Sequence, residues 1–231
     1  MIVLRDVSKT YTVGKEMTVP AVRGVSLDVA RGEFVIITGR SGSGKTTLLN
    51  LVAGLARPTS GQVALDGVDI WSLTDKQQAL LRNQRIGFVF QFPSLLPSLT
   101  ALENVMLSTM LGRKEGKQDA MARAARLLAE VGLSDKLNAY PRQLSAGQQQ
   151  RVVVARSLIN QPELLLADEP TSDLDEQTEH EIMTLFKDVH ARTGITILLV
   201  THTTQLVPYG TRALAMAGGM IVSGNHESRL E

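Results

Sequence analysis

Residues Gly39-Arg40-Ser41-Gly42-Ser43-Gly44-Lys45-Thr46 match the pattern G-x-x-x-x-G-K-[S/T] and stand directly after the apolar run Phe34-Val35-Ile36-Ile37. The run reads as a buried strand, and Thr47-Leu48-Leu49-Asn50-Leu51-Val52 behind the motif reads as a helix. A strand, a glycine-rich turn and a helix in that order predict a phosphate-binding loop. The glycines let successive N–H groups point into one concavity, and the helix N-terminus adds its partial positive charge there. Gly39 to Thr46, with Thr47, are therefore the expected phosphate ligands. Lys45 is expected to reach the β- and γ-phosphates and the Thr46 hydroxyl to ligate Mg²⁺. A plain Gly/Ser turn would not place its lysine at the opening of an apolar helix. The motif by itself leaves an ATPase, a GTPase and a small-molecule kinase open.

With 231 residues, 43% of them hydrophobic, the chain fits one large α/β domain or a core with a subsidiary lobe. The formal charge is +1, from 24 basic and 23 acidic residues, so the basic excess that marks non-specific nucleic-acid binding is missing and nucleic acid is not an expected partner. There is no cysteine, which removes disulfides, thiolate metal sites and cysteine nucleophiles together and agrees with a reducing compartment. Met1-Ile2-Val3-Leu4-Arg5-Asp6 becomes charged too soon for a signal peptide. Leu164 to Ala167 and Ile195 to Val200, among the longest apolar stretches, fall far short of the run of about 20 that spans a bilayer, so a soluble chain is expected.

Residues 2–7 read as a strand, Val13 to Pro20 as a hairpin tip or loop, and Val22 to Val29 as a returning strand. Tyr11 sits where an aromatic face could stack on a purine, although spacing alone favours an ordinary half-buried strand tyrosine. Asp66-Gly67 marks a tight turn, 74–84 a helix, and Ile86 to Phe90 a short strand ending at Gln91. Thr100-Ala101-Leu102-Glu103 fits a capping box for a helix running to about Leu111, and a second helix spans about 117–131 and stops at Gly132. Ser145-Ala146-Gly147-Gln148 fits another capping box. Its glycine leaves the helix N-terminus free of bulk, which would suit an anion, although these residues by themselves favour a plain capped helix. These helices predict a lobe at about 92–158, set into a core of about 1–91 and 159–231.

Leu164-Leu165-Leu166-Ala167 reads as a buried parallel strand ending at Asp168-Glu169. Ligands of open α/β sheets lie beyond the carboxyl ends of the strands, so this carboxylate pair is expected to face the phosphate loop. Asp168 is then a partner of Mg²⁺, directly or through its hydration shell, and Glu169 is placed to polarise or deprotonate an attacking water. Thr178 to Arg192 reads as a helix closed by Gly194, and the strand Ile195 to Val200 brings His202 to a carboxyl end too, where a neutral imidazole could donate to a phosphate oxygen. Arg212 to Ser223, with Gly218-Gly219 in its middle, reads as a terminal hairpin.

With the phosphate loop, Gln91, Leu144-Ser145-Ala146-Gly147-Gln148, Leu164 to Glu169, Ser172-Asp173-Leu174-Asp175 and His202 in this order, the chain closely resembles the ATP-binding cassette subunits of ABC transporters over essentially its whole length. The fold this implies is α/β: a P-loop NTPase core with a mixed sheet, an antiparallel β subdomain and a helical subdomain. The resemblance further implies that Tyr11 stacks on adenine and that Gln91 joins the metal and water network to the helical lobe. It makes Glu169 the catalytic base and His202 a contact of the γ-phosphate. ATP and Mg²⁺ are the implied cofactors. Such cassettes pair head to tail, as a homodimer or with a second cassette, so Ser145 to Gln148 of one copy close on the nucleotide held by Gly39 to Thr46 of the other. Ala146 replaces a glycine common in the signature, Asp173 a small alanine, and Thr203 an aspartate; every chemical group is present, and an active ATPase is expected.

Tyr11 to Ser26 look like the lipoprotein-releasing and macrolide-exporting subgroup. That subgroup works with an integral membrane permease, here on a separate chain, and implies a cytoplasmic protein peripheral to the cytoplasmic face of the inner membrane. Leu95, Leu96 and Leu99, which Pro93 and Pro97 keep out of a continuous helix, fall where a permease helix docks in that family. An importer-type cassette is the alternative within the class, and a soluble cassette protein of translation or DNA repair the alternative outside it.

Overall fold

Ten strands and six α-helices are seen in a computed structural model that describes residues 1–14, 17–110 and 116–222. The expected hairpin tip at Lys15-Glu16, the first lobe helix's end at Leu111 with the break that follows, and the terminal Ser223 lie outside the described residues. In chain order β1 (Ile2–Val13) and β2 (Met17–Val29) pair, and β3 (Phe34–Thr38) leads through the glycine-rich loop into α1 (Lys45–Val52). Next come β4 (Ser60–Leu65), β5 (Val68–Asp69), α2 (Asp75–Arg85) and β6 (Ile86–Val89). Three helices follow, α3 (Ala101–Met106), α4 (Lys117–Glu130) and α5 (Ala146–Leu158). The chain returns through β7 (Leu164–Asp168), α6 (Glu176–Thr193), β8 (Thr196–Thr201), β9 (Arg212–Ala217) and β10 (Met220–Val222).

A four-stranded antiparallel sheet has the order β2-β1-β4-β5, and a six-stranded sheet has the order β10-β9-β3-β8-β7-β6, parallel except for β10 at its edge. Alternate residues of the central strands point to opposite faces. Phe34, Ile36, Leu165, Ala167, Ile197 and Leu199 join one apolar cluster with α3, α4, α5 and α6. Val35, Ile37, Leu164, Leu166, Leu198 and Val200 join another with α1 and the antiparallel sheet. Burial on both faces is why these strands are continuous apolar runs rather than alternating ones.

The capping boxes form as the spacing predicts. Thr100 and Ser145 accept from the N–H groups of Glu103 and Gln148, whose side chains reach back to the cap N–H groups. Several boundaries differ; β1, expected over residues 2–7, runs to Val13. Residues 17–20 were expected in a loop but belong to β2, with Val19 opposite Tyr11 and Pro20 opposite Thr10. Proline is tolerated there because β2 is the edge strand and its register shifts between Lys9 and Thr10. The helix expected from Thr178 starts at Glu176, because the Asp175 side chain caps it. The first lobe helix is α-helical only to Met106 and tightens into a 3₁₀ turn over Leu107–Met110.

Candidate functional site

Parallel pairing in register sets Thr38 beside Thr201 and Asp168 beside Val200, so β3, β7 and β8 end together. The loop after β3 is held at that edge by the Gly39 N–H donating to Thr201 O at 3.2 Å and by the Ser43 N–H donating to Arg40 O at 3.1 Å. Gly44, at φ 103°, takes the left-handed conformation that starts α1. A Cβ there would stand 2.2 Å from Ala21 O, and one at Gly39 would stand 2.3 Å from Met216 O, so both positions require glycine for space. Ser43 Oγ is buried inside the loop without a hydrogen-bond partner among the described residues.

Lys45 is only 5% exposed, donates to Gly39 O at 2.6 Å and Arg40 O at 3.3 Å, and forms an ion pair with Glu169 Oε1 at 3.2 Å. Glu169 holds a left-handed backbone, φ 46°, with its N–H on Val200 O at 2.9 Å. Its second oxygen accepts from His202 Nδ1 at 2.5 Å and from the His202 N–H at 3.3 Å. A carboxylate only accepts, so Nδ1 carries the hydrogen and a neutral His202 has none on Nε2. The expected donation from a neutral ring to phosphate therefore requires His202 to leave Glu169 or to change tautomer. Asp168 Oδ1 accepts from Thr46 Oγ1 at 3.1 Å. Burial pushes the Asp168 carboxyl above its ordinary value and the Glu169 charge adds to this, while Thr46 and Lys45 oppose it.

A cavity of about 720 Å³ is lined by Tyr11, Ala21, Arg40, Ser41, Gly42, Gly44 to Thr47, Gln91, Glu169 and His202, while Asp168 reaches it only through its bond to Thr46. Gly39 and Ser43 lie behind this lining. Tyr11, 39% exposed, has Lys9 Nζ 5.0 Å from its ring centroid. Ser145, Ala146, Gly147 and Gln148 do not border the cavity of their own chain. Of the leucines in the proline-broken segment, Leu95 packs on the apolar cluster, Leu99 is half-buried and Leu96 is exposed, as is Phe92.

Ala21, Met216 and Gly219 were missed from sequence. Ala21 and Met216 pack against the loop glycines, and the Gly219 N–H donates to Ser43 O at 3.0 Å. The only local signal was the Gly218-Gly219 turn; what it touches depends on β9 lying beside β3.

A family model described as ABC transporter matches residues 22–172. Over 218 residues the chain is 45% identical to the lipoprotein-releasing system ATP-binding protein LolD of Geobacter metallireducens, covering 94% of this chain and 96% of that protein. It is 47% identical over 222 residues to the macrolide export ATP-binding/permease protein MacB of Syntrophobacter fumaroxidans, covering 96% of this chain and 31% of that protein. The chain thus spans about a third of the length of the MacB relatives it matches. Among solved structures, the dimeric post-hydrolysis state of the ATP-binding cassette MJ0796 bound to ADP and Pi superposes with a TM-score of 0.89 at 39% identity, covering 100% of this chain and 99% of that one.

Proposed function

The chain belongs to the ABC transporter family, and on that premise we propose that it binds and hydrolyses ATP as the motor subunit of a transporter, pairing head to tail with a second cassette. The observation that carries this reading is the convergence of Lys45, the Thr46–Asp168 pair and the Glu169–His202 pair on one cavity at the ends of β3, β7 and β8.

The roles follow from the chemistry of each group. Amides of Gly39 to Thr46 cradle the phosphates, and Tyr11 offers the purine a face backed by Lys9. An arriving γ-phosphate competes for Lys45 and for His202, and both presently hold Glu169. Once released, Glu169 accepts the proton of a water that attacks the γ-phosphorus as the bond to the β-phosphate breaks, leaving ADP and phosphate. Gln91, across the cavity, orients that water.

Among the described residues no cluster of three or more His, Cys, Asp or Glu forms a self-contained metal cage. Mg²⁺ fits this site nevertheless, because it takes few protein ligands and completes its shell with phosphate oxygens and waters. Thr46, Asp168 and Gln91 would hold it, and it would neutralise charge developing on the transferred group. The described residues within 92–158 form the helical lobe of the motor, those within 1–91 and 159–231 its core, and Ser145 to Gln148 complete the partner's site.

Exposed Phe92 and Leu96 beside Gln91 support a permease docking there, with the chain held at the cytoplasmic face of the membrane; no described helix is long and apolar enough to cross one. The LolD and MacB names of relatives favour lipoprotein release or export over import. The test mixes two inactive variants, Ser145→Arg and Lys45→Ala. One composite site of the mixed dimer keeps both halves, so hydrolysis appears in the mixture at up to about half the wild-type rate if the sites act independently. Activity in the Ser145→Arg chain by itself refutes the paired site.

A further inference from the structure

Gly147 stands in the first turn of α5, where its missing side chain was assigned to the approach of an anion. The structure gives that absence a second cause. A Cβ at Gly147 would lie 2.5 Å from Thr178 Cγ2, in the first turn of α6 of the same chain. Gly147 is buried beneath this methyl, whereas Ser145 and Ala146 are exposed.

Thr178 has little freedom to retreat. Its Oγ1 donates to Asp175 Oδ2 at 2.7 Å and its N–H to Asp175 Oδ1 at 3.0 Å. Asp175 ends the loop that begins at Glu169. Inside that loop the Ser172 N–H donates to Glu169 O at 3.3 Å and the Leu174 N–H to Thr171 O at 3.1 Å. Thr171, 3% exposed, donates to Glu179 Oε2 at 2.8 Å, and Leu174 packs on the apolar cluster. The loop is thus pinned to the first turn of α6 by two neighbouring residues, and α6 in turn touches α5 at Gly147. Close packing without slack transmits displacement, because the neighbours cannot move apart without opening a void or together without a clash.

We propose that Thr178 is a positioning residue: its methyl seats on Gly147 and its hydroxyl on Asp175, so that the start of α5 and the loop carrying Glu169 move as one unit within each subunit. This rests on the composite-site reading above. There, the α5 start serves the partner's nucleotide and Glu169 serves its own, so Thr178 links the geometry of one site to occupancy of the other. Thr178 itself touches no substrate; it acts through Gly147 and Asp175.

The test is a double-mutant cycle on the full chain with Gly147→Ala and Thr178→Ser. Three quantities are read: steady-state ATP turnover, ATP affinity of the monomer and melting temperature. Gly147→Ala adds a methyl that meets the Thr178 methyl, and it is expected to lower kcat about tenfold while leaving monomer affinity unchanged. Thr178→Ser removes the opposing methyl and keeps the hydroxyl, so the double variant should recover to within about twofold of Thr178→Ser and melt above Gly147→Ala. Additive losses in both turnover and melting overturn the proposal, because the added methyl then obstructs something other than Thr178. Thr178→Val keeps the methyl and removes the bond to Asp175; a several-fold loss of kcat at constant KM is expected, and an unchanged kcat overturns the hydroxyl half. The melting cycle reads the contact without any hydrolysis. A wild-type chain that neither dimerises with ATP nor turns it over therefore refutes the motor reading, while additivity or its absence in melting still decides the contact between Thr178 and Gly147.

Discussion

Glu163 and Asp168-Glu169 flank the same strand, β7, yet the two ends are wired differently. At the amino end Glu163 meets Arg31 at 2.5 Å and Arg85 Nη2 at 3.0 Å, and both arginines also grip Asp66 in the β4–β5 turn. Two acids face two guanidinium groups, and the Arg85 and then the Arg31 hydrogen bonds hold the Glu163 carboxyl below its ordinary value. This closed set straps the antiparallel sheet to the parallel one. At the carboxyl end two acids share one buried cation, Lys45, and burial pushes Asp168 upward instead. Charge that is mutually neutralised at a wet edge holds elements together. Excess negative charge in a drier pocket is what the proposed Mg²⁺ would offset.

Three substitutions along β7 sharpen the contrast, and the largest effect belongs to Glu169→Gln. With the proton acceptor gone and the shape kept, turnover should fall by about 10²-fold or more while ATP still binds and holds a dimer. Steady-state hydrolysis and size-exclusion runs with ATP measure both, and near-normal turnover would remove Glu169 from its role. Asp168→Asn should go the other way on stability. Relieving a buried charge is expected to raise the melting temperature of the nucleotide-free chain by about 2–4 °C, while turnover is lost with the metal partner. A lower melting temperature would show that Asp168 is as well compensated as Glu163.

The smallest effect is expected from Glu163→Gln. Half-exposed ion pairs are screened, so the loss at neutral pH should stay below about 1 kcal/mol. Its pH dependence carries the information. A carboxyl held below its ordinary 4.5 adds stability above that value and gives it up as pH falls through the depressed folded-state pKa. Thermal melts of the wild type should therefore lose more stability than those of Glu163→Gln between neutral pH and the acid side of 4.5, and parallel curves would mean that the strap adds nothing.

Much of the fold was legible because its signals are local. The capping boxes at Thr100 and Ser145, the Asp66-Gly67 turn and the apolar runs of β3, β7 and β8 each depend on neighbours a few residues away. Where local signals conflict, the partner strand decides: Pro20 reads as a loop until β1 pairs beside it. The candidate site divides in the same way. Lys45, Thr46, Asp168, Glu169 and His202 were expected to gather and do so because a strand end fixes the direction of the residues that follow it. Ala21, Met216 and Gly219 were not, because strands distant in sequence bring them to the loop.

Strand direction and residue type suffice to bring a glycine-rich loop, a carboxylate pair and a histidine to the carboxyl edge of a parallel sheet, and both are legible in the chain. Tertiary structure alone decided what those groups do before a ligand arrives. Glu169 pairs with both Lys45 and His202, burial raises the Asp168 carboxyl above its ordinary value, and Thr178 leaves no room for a side chain at Gly147. Each of these is a distance of a few ångströms between residues far apart in the chain. Spacing along the chain does not encode such distances; close packing of helices and strands sets them.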